Sequence, residues 1–272
     1  MNGGRASSIL PAVNASPPLA IPRAALVTGA GKRIGRALAL ALAEDGYAVA
    51  LHYHHSRSDA EAVAGEIVKA GGKAMPLAAN LAEESEVVAL AANAAKALGP
   101  LGVLVNNASL FERDEAVSVT RGSWDAHLET NLRAPFVLSQ ALARGLPADA
   151  GGVIVNLVDQ RVWNLTPHFV SYTLSKAGLW TLTQTLALAL APRIRVNAIG
   201  PGPTLPSPRQ SIEQFARQVR SVPLQRGPSL EELVAALRLI LAAGSMTGQM
   251  IALDGGQHLN WASPLLSHAA EE

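Results

Sequence analysis

From Ala24 onward, short apolar runs alternate with amphipathic stretches of helical length. Strands separated by helices in this way require right-handed crossovers and a mainly parallel sheet. The runs are nearly continuous, which indicates strands covered on both faces. The sequence therefore predicts an α/β fold with a doubly wound parallel sheet of about seven strands and helices on both faces. The predicted strands are Ala24–Val27, Ala48–His52, Ala74–Ala78, Val103–Val105, Val153–Leu157, Arg195–Ile199 and Met250–Leu253, and the predicted helices lie near 34–45, 58–70, 83–98, 121–145, 169–191, 209–220 and 229–243.

Hydrophobic residues make up 49% of the 272 residues, which suits a single α/β domain with a sizeable core. We place this domain at residues 23–262. Residues 1–22 are rich in Gly, Ser, Ala and Pro and predict a disordered leader, with a weak signal peptide as the alternative. Residues 263–272 predict a flexible tail. Prolines interrupt residues 201–226, which we predict to form a mobile substrate flap.

The net charge of +1 gives no electrostatic case for nucleic acid or a membrane surface as a partner. The chain has no cysteine, which excludes disulfides and thiolate chemistry and fits a reducing, cytoplasmic location. The two most apolar stretches, Leu182–Ala191 and Leu233–Ala243, are too short to span a bilayer. His54 and His55 are adjacent and no paired carboxylate motif follows, so we predict no catalytic metal.

A glycine-rich turn, residues 28–35, follows the first predicted strand. Its glycines permit a tight turn and close approach of a pyrophosphate, which then binds at the helix N-terminus. The alternative is a plain strand–helix turn, against which its position before an Ala/Leu-rich helix argues. No acid lies between Tyr47 and Arg57, where a carboxylate would bind the ribose of NAD. Donors at this point instead favour NADPH, namely Lys32, Arg33, His54, His55, Ser56 and Arg57.

Two further motifs follow later strands. Asn107, Ala108 and Ser109 come after the fourth strand, where small residues let the backbone approach a cofactor. Tyr172 and Lys176 are one helical turn apart on the helix after the fifth strand. Such pairs are common on helices, so the position of this pair, rather than its spacing, gives it weight.

Taken in order, the motifs Thr-Gly-x5-Gly, Asn-Asn-Ala, Tyr-x-x-x-Lys, Pro-Gly and a final Asp-Gly-Gly resemble those of the short-chain dehydrogenase/reductase family. The resemblance covers residues 24–260 and implies a Rossmann-like fold. Within that family, the chain is most similar to pteridine and dihydromonapterin reductases. Four features carry this similarity, namely Lys32-Arg33 in the first turn, the strand end at 52–56, the segment at 107–111, and Asp159 thirteen residues before Tyr172.

The resemblance implies catalytic roles for four residues, including Asp159. Tyr172 donates the proton, Lys176 stabilises the phenolate and binds the nicotinamide ribose, and Asn131 holds a water that leads to the lysine. A polar residue tolerated on a helix is the alternative for Asn131. The implied cofactor contacts are Gly29, Lys32, Arg33, Ile34, Gly35, His54, His55, Ser56, Asn80, Leu81, Asn107, Ala108, Ser109, Tyr172, Lys176, Pro201 and Gly202.

The implied substrate contacts are Arg33, Ser109, Phe111, Asp159 and Tyr172. The Phe111 ring would stack on a flat pterin, with a place in the core as the alternative. Asn80 departs from the family, which has an aspartate at this position, although an amide can still bond to adenine.

Asp159 stands where ketone-reducing members of the family carry a serine. A serine hydroxyl can donate a hydrogen bond to a ketone oxygen, whereas a carboxylate mainly accepts hydrogen bonds. The aspartate therefore predicts a substrate with N–H groups or a C=N bond. Asp159 could accept pterin N–H bonds and orient Tyr172, carry a proton itself, or serve only as a cap or salt-bridge partner.

The leading hypothesis is an NADPH-dependent reductase that converts a dihydropterin, such as dihydrobiopterin or dihydromonapterin, to its tetrahydro form. The alternative within the same class is a ketone reductase of the 3-oxoacyl thioester type, against which Asp159 argues. A cofactor-sensing protein without turnover is a third reading, against which Tyr172, Lys176 and Asn131 argue. The resemblance also implies a homotetramer.

Overall fold

The computed structural model describes residues 19–207 and 209–259. In that part of the chain, seven strands form one parallel sheet in the order β3-β2-β1-β4-β5-β6-β7. The strands are Ala24–Val27 (β1), Ala48–Tyr53 (β2), Ala74–Ala78 (β3), Val103–Asn106 (β4), Gly152–Leu157 (β5), Ile194–Pro201 (β6) and Met250–Leu253 (β7). The helices are Arg33–Glu44 (α1), Arg57–Lys69 (α2), Glu84–Leu98 (α3), Arg121–Leu128 (α4), Ala134–Gly145 (α5), Val170–Ala189 (α6), Ile212–Ser221 (α7) and Leu230–Ala242 (α8). The predicted doubly wound Rossmann-like fold is confirmed.

The predicted helix over 121–145 is wrong in one respect, because a π-helical turn at Glu129–Arg133 separates α4 from α5. Pro135, the second residue of α5, has no N–H to bond the carbonyl of Asn131, four residues earlier, so regular α-helical bonding cannot continue there. The predicted helix at 209–220 also begins later, at Ile212. Ser211 caps it in a reciprocal capping box with Gln214.

The boundary of the predicted leader at residue 22 also needs adjustment. Ala20 forms an isolated parallel bridge with Ala150, and its carbonyl accepts a hydrogen bond from Gly151 at 2.9 Å. Contact with the sheet therefore begins before residue 23. Residues 1–18 of the leader, residues 260–262 of the domain and the tail at 263–272 lie outside the described residues.

Apolar side chains cover both faces of the sheet. Leu90 and Leu138 lie in the cluster on the face of α3 and α5, whereas Leu38 and Ile240 lie in the cluster on the face of α1 and α8. This explains why the strand sequences are mainly apolar. Within the described residues, no helix is long and apolar enough to cross a membrane.

The strand order reverses between β1 and β4, which places a crevice at the carboxyl ends of these two strands. The turn after β1, the segment after β4 and the segment after β5 all reach this edge. The chain from 201 to 226 leaves β6 at the same edge and contains α7, none of whose described side chains is fully buried. The fold thus brings the predicted site segments to one place.

Candidate active site

The turn after β1 is packed too tightly for side chains. Gly29 has a φ of +64°, and a Cβ at position 35 would lie 2.2 Å from the Gly29 carbonyl oxygen. The Thr28 hydroxyl accepts hydrogen bonds from the backbone N–H groups of Asn107 and Ala108, both at 2.9 Å. The Asn107 side chain donates to the Thr28 carbonyl at 2.8 Å. These bonds fix the turn against the end of β4 and leave a backbone-lined surface that suits a pyrophosphate.

His52, at the end of β2, supports the same turn through a hydrogen bond. Its Nδ1 accepts a hydrogen bond from the Gly29 N–H at 3.0 Å, so Nε2 carries the proton and donates to the Ala79 carbonyl at 3.1 Å. Burial lowers the pKa of His52 to about 4, which keeps the ring neutral. His52 is therefore a structural support of the turn.

The predicted phosphate-binding groups lie at the end of β2, next to this turn. A Cβ at Gly31 would lie 3.3 Å from the Ser56 hydroxyl oxygen, which shows how closely the two segments approach. Lys32 forms an exposed ion pair with Asp59 at 3.0 Å. The rings of His54 and His55 are exposed, with centroids 3.5 Å apart. Donors are thus present, although Asp59 competes for the lysine.

Two predicted adenine contacts have local structural roles. The Asn80 side chain accepts a hydrogen bond from the Ala82 N–H at 3.1 Å, and the Asn80 backbone N–H donates to the Glu86 carboxylate at 2.7 Å. Leu81 is buried in the core. Their contact with a cofactor stays a prediction.

The hydrogen bonds of Arg33 give a reason for an arginine at a position of this turn where the family usually has glycine. Its φ is +54°, a left-handed conformation that costs a non-glycine residue about 1 kcal/mol or more. Its guanidinium donates to the carbonyls of Pro206 at 2.7 Å and Leu205 at 3.0 Å. Arg33 therefore connects the cofactor turn to the flap across the cleft.

The central contact of the site joins Tyr172 and Asp159. The tyrosine hydroxyl donates to Asp159 Oδ2 at 2.8 Å. Asp159 also caps the short helix at Gln160–Val162, since its Oδ1 accepts a hydrogen bond from the Arg161 N–H at 2.8 Å. The Arg161 guanidinium lies 3.3 Å from Oδ2. Asp159 thus accepts three hydrogen bonds, from the Tyr172 hydroxyl, the Arg161 backbone N–H and the Arg161 guanidinium.

Lys176 lies one turn after Tyr172 on α6 and is buried. Its ammonium donates to the Leu157 carbonyl at 2.8 Å and lies 5.8 Å from the centre of the Tyr172 ring. Burial lowers the pKa of Lys176 to about 8, and the Asp159 charge partly opposes this effect. The ammonium can therefore stabilise a Tyr172 phenolate near neutral pH.

We expect turnover to fall as pH rises through about 8, because Lys176 loses its proton there. In Lys176→Arg, the guanidinium stays charged over the whole range, so the alkaline decline of the residual activity should move to higher pH. A pH profile of kcat for both proteins measures this. If the decline occurs at the same pH in both, another group causes it.

Asn131 lies in the π-helical turn, buried beneath the segment after β4. Its side chain donates to the Leu110 carbonyl at 2.9 Å and to the Ser175 hydroxyl at 3.0 Å, and it accepts from the Leu110 N–H at 2.8 Å. The amide is thus bonded to the neighbour of Phe111 and to α6. A water between Asn131 and Lys176 stays a prediction.

Phe111 lines the cleft next to Tyr172. Its ring stacks on Phe169 with centroids 4.6 Å apart and meets the Tyr172 ring edge-on, also at 4.6 Å. One face of Phe111 is therefore occupied by Phe169 in this conformation. Stacking of Phe111 on a substrate stays a prediction.

The cleft encloses about 280 Å³, which is the size of a small heterocycle. It brings together most of the predicted catalytic and substrate residues, whereas Asn131 and the predicted groups at the end of β2 lie outside it. Its far wall comes from the flap. The lining residues include Arg33, Ser109, Phe111, Asp159, Gln160, Arg161, Tyr172, Lys176, Gly202 and Gln210.

A buried hydrogen-bond network that the sequence did not predict fixes the start of α6. The Asp114 carboxylate accepts hydrogen bonds from the Ser171 N–H at 3.2 Å, the Ser171 hydroxyl and the Ser123 hydroxyl. His127 Nε2 accepts from the Glu112 N–H at 3.1 Å, and its Nδ1 lies 2.8 Å from the Ser171 hydroxyl oxygen. These residues are far apart in sequence, so no local pattern predicts the network.

A protein that binds a dinucleotide at one side of this cleft and offers a tyrosine proton at the other is an oxidoreductase by class. Comparison with known families agrees. The model of the short chain dehydrogenase family matches residues 23–216, and the chain belongs to the short-chain dehydrogenase family.

The relatives include a dihydrofolate reductase and a 3-oxoacyl reductase. The chain is 49% identical to FolM alternative dihydrofolate reductase 1 from Brucella suis, solved in complex with NADP, with a TM-score of 0.86 over 91% of this chain and 98% of that one. A blue fluorescent protein from a metagenomic library, solved with NADPH, is 29% identical with a TM-score of 0.81, over 86% and 97%. The 3-oxoacyl-(acyl-carrier-protein) reductase FabG of Staphylococcus aureus strain N315 is 34% identical, over 87% and 98%.

Proposed function

We propose that the protein reduces the C=N bond of an oxidised pterin, such as a dihydropterin, to the tetrahydro form. The observation that carries this proposal is the Tyr172–Asp159 hydrogen bond of 2.8 Å in the cleft. It puts a proton donor and a carboxylate acceptor side by side, which suits a ring with one nitrogen to protonate and neighbouring N–H groups to bind. The 49% identity to a FolM alternative dihydrofolate reductase supports the same substrate class.

The cofactor is NADP(H), which supplies the hydride. The backbone-lined turn at Gly29 and Gly35 would hold its pyrophosphate, and Lys32, His54 and Arg57 would hold the 2′-phosphate. Lys176 would bind the nicotinamide ribose. The structural neighbours solved with NADP or NADPH support this choice.

The remaining chemistry belongs to side chains of the cleft. Tyr172 gives its phenolic proton to the substrate nitrogen, and the Lys176 ammonium, 5.8 Å from the ring centre, stabilises the resulting phenolate. Asp159 accepts substrate N–H bonds and orients the Tyr172 hydroxyl. The flap accepts a hydrogen bond from Arg33, and its own Arg209 donates to the Phe111 carbonyl, so it covers the cleft and limits access of water.

Catalytic efficiency with NADPH should exceed that with NADH by at least about tenfold, since charge-assisted hydrogen bonds to a phosphate contribute about 1.5–3 kcal/mol. Lys32→Gln should reduce this preference, and Arg121→Gln, which removes an exposed arginine away from the cofactor turn, should leave it unchanged. Steady-state kinetics with both cofactors provide the test. Equal efficiency in the parent protein, or a preference for NADH, would contradict the assignment.

The 34% identity to FabG favours a second candidate, reduction of a 3-oxoacyl thioester. The test of the proposed function is the rate of NADPH oxidation by the purified protein with dihydrobiopterin or dihydromonapterin, measured beside an acetoacetyl thioester. Turnover of the pterins alone supports the proposal. Turnover of the thioester alone supports the second candidate, and cofactor binding without either turnover supports a cofactor-sensing protein.

A further inference from the structure

We propose that Arg161 is a positioning residue of this site, whose buried guanidinium holds the Asp159 carboxylate directed at Tyr172 and the substrate. This inference deepens the proposed function and rests on it for the substrate. Arg161 was not among the residues that the sequence singled out.

The geometry around Arg161 supports this role. The residue lies only two positions after Asp159, in a single 3-10 turn, which brings its guanidinium back onto the carboxylate it follows. Its backbone N–H bonds Oδ1 at 2.8 Å, and Nη1 lies 3.3 Å from Oδ2, the same oxygen that accepts the Tyr172 hydroxyl. One carboxylate oxygen is therefore shared between the arginine and the tyrosine.

Because the Arg161–Asp159 ion pair is largely buried, the loss of either charge leaves the other unbalanced in a poorly solvated place. The side chains of Arg161 and Asp159 are only 11% and 15% exposed. The guanidinium carbon lies 5.3 Å from the ring centres of both Phe111 and Phe169, and 5.9 Å from that of Tyr172. Aromatic faces attract a cation, so the rings hold the guanidinium in place. If the cation is removed, a largely buried carboxylate is left without its opposite charge.

Other charged groups face the pair and do not replace Arg161. Lys176 on α6 lies near Tyr172 but bonds to the Leu157 carbonyl. Arg33 lines the cleft but bonds to the flap carbonyls of Leu205 and Pro206. On α4, His127 has its ring 6.2 Å from that of Tyr172 and accepts a hydrogen bond from Glu112.

One effect on titration follows from the loss of this cation. A nearby positive charge favours the Tyr172 phenolate, so the phenol would titrate at higher pH without Arg161. A merely structural arginine would change stability and leave the phenol titration in place.

The test compares variants that remove or keep the charge. Arg161→Gln and Arg161→Met remove it, with Met filling the space between the rings, while Arg161→Lys keeps it. Arg195→Gln is the matched control, since Arg195 is partly buried, bonds to backbone carbonyls at the opposite edge of the sheet and does not line the cleft. The Tyr172 titration is measured by phenolate absorbance. For each protein, the absorbance of the same protein carrying Tyr172→Phe is subtracted, so that only the Tyr172 signal remains. It needs no substrate. The pH profile of kcat/KM for the dihydropterin is measured in parallel.

In both neutral variants, we expect kcat/KM to fall about 10- to 100-fold and the phenol to titrate at higher pH. Arg161→Lys and Arg195→Gln should show neither change. If the phenol titration stays in place in both neutral variants, the proposal is wrong, whatever happens to activity. If the parent protein does not reduce pterins, the proposed substrate is wrong, and the phenol titration still tests the role of Arg161.

Discussion

Tyr172→Phe should lower kcat for dihydropterin reduction by about two to four orders of magnitude, the range for loss of a general acid. The substitution removes only the hydroxyl, which donates to Asp159 at 2.8 Å. The ring keeps its edge-on contact with Phe111, so the cleft should keep its shape. NADPH affinity should change little, because the substitution removes the phenolic hydrogen bond and keeps the ring in place.

The measurement is single-turnover and steady-state kinetics, with NADPH affinity determined separately by fluorescence. Tyr47→Phe is a matched control, since Tyr47 is also buried but lies at the start of β2, away from the cleft. Its activity should equal that of the parent. If Tyr172→Phe retains a tenth of the activity, another group donates the proton.

Asp159→Ser should reduce kcat/KM for dihydropterins by at least about 10- to 100-fold, since it removes a charged hydrogen-bond acceptor. The loss should appear in kcat if Asp159 orients or tunes Tyr172, and in KM if it only anchors substrate N–H groups. Serine supplies a donor in place of an acceptor, so weak activity on an acetoacetyl thioester is the expected gain. NADPH affinity should stay the same.

This substitution also leaves Arg161 without its carboxylate, so thermal unfolding of the variant must be measured. Asp159→Asn keeps the size of the side chain and serves as the second variant. It should also lose pterin reduction, because the amide NH2 group donates hydrogen bonds where the carboxylate oxygen accepted them. If Asp159→Ser reduces pterins as well as the parent, the aspartate is a structural cap, and the pterin proposal loses its main support.

The fold could be predicted because its signals are local. Apolar runs of four to six residues specify buried strands, and the glycines after β1 specify a turn that no larger side chain fits, as the 2.2 Å approach at Gly35 shows. The π-helical turn could not be predicted from propensity, since it results from Pro135 within an otherwise helical pattern.

The site was predictable only in part, for a physical reason. Tyr172 and Lys176 were predicted from the spacing typical of the family, and Asp159 from the resemblance to pteridine reductases. Arg161 acts through a backward turn onto Asp159 and through three aromatic rings, of which Phe111 is distant in sequence. An arginine two residues after an aspartate that follows a buried strand is the only local signal, and it is common on surfaces.

The central claim is that the cleft serves a pterin C=N bond rather than a ketone. Competition tests it most directly. Equal concentrations of dihydromonapterin and an acetoacetyl thioester are mixed with the protein and NADPH carrying deuterium in the transferred position, and both products are quantified by mass spectrometry. We predict that the tetrahydropterin, with one carbon-bound deuterium, accounts for nearly all the label. A predominantly labelled 3-hydroxyacyl thioester would contradict the proposal.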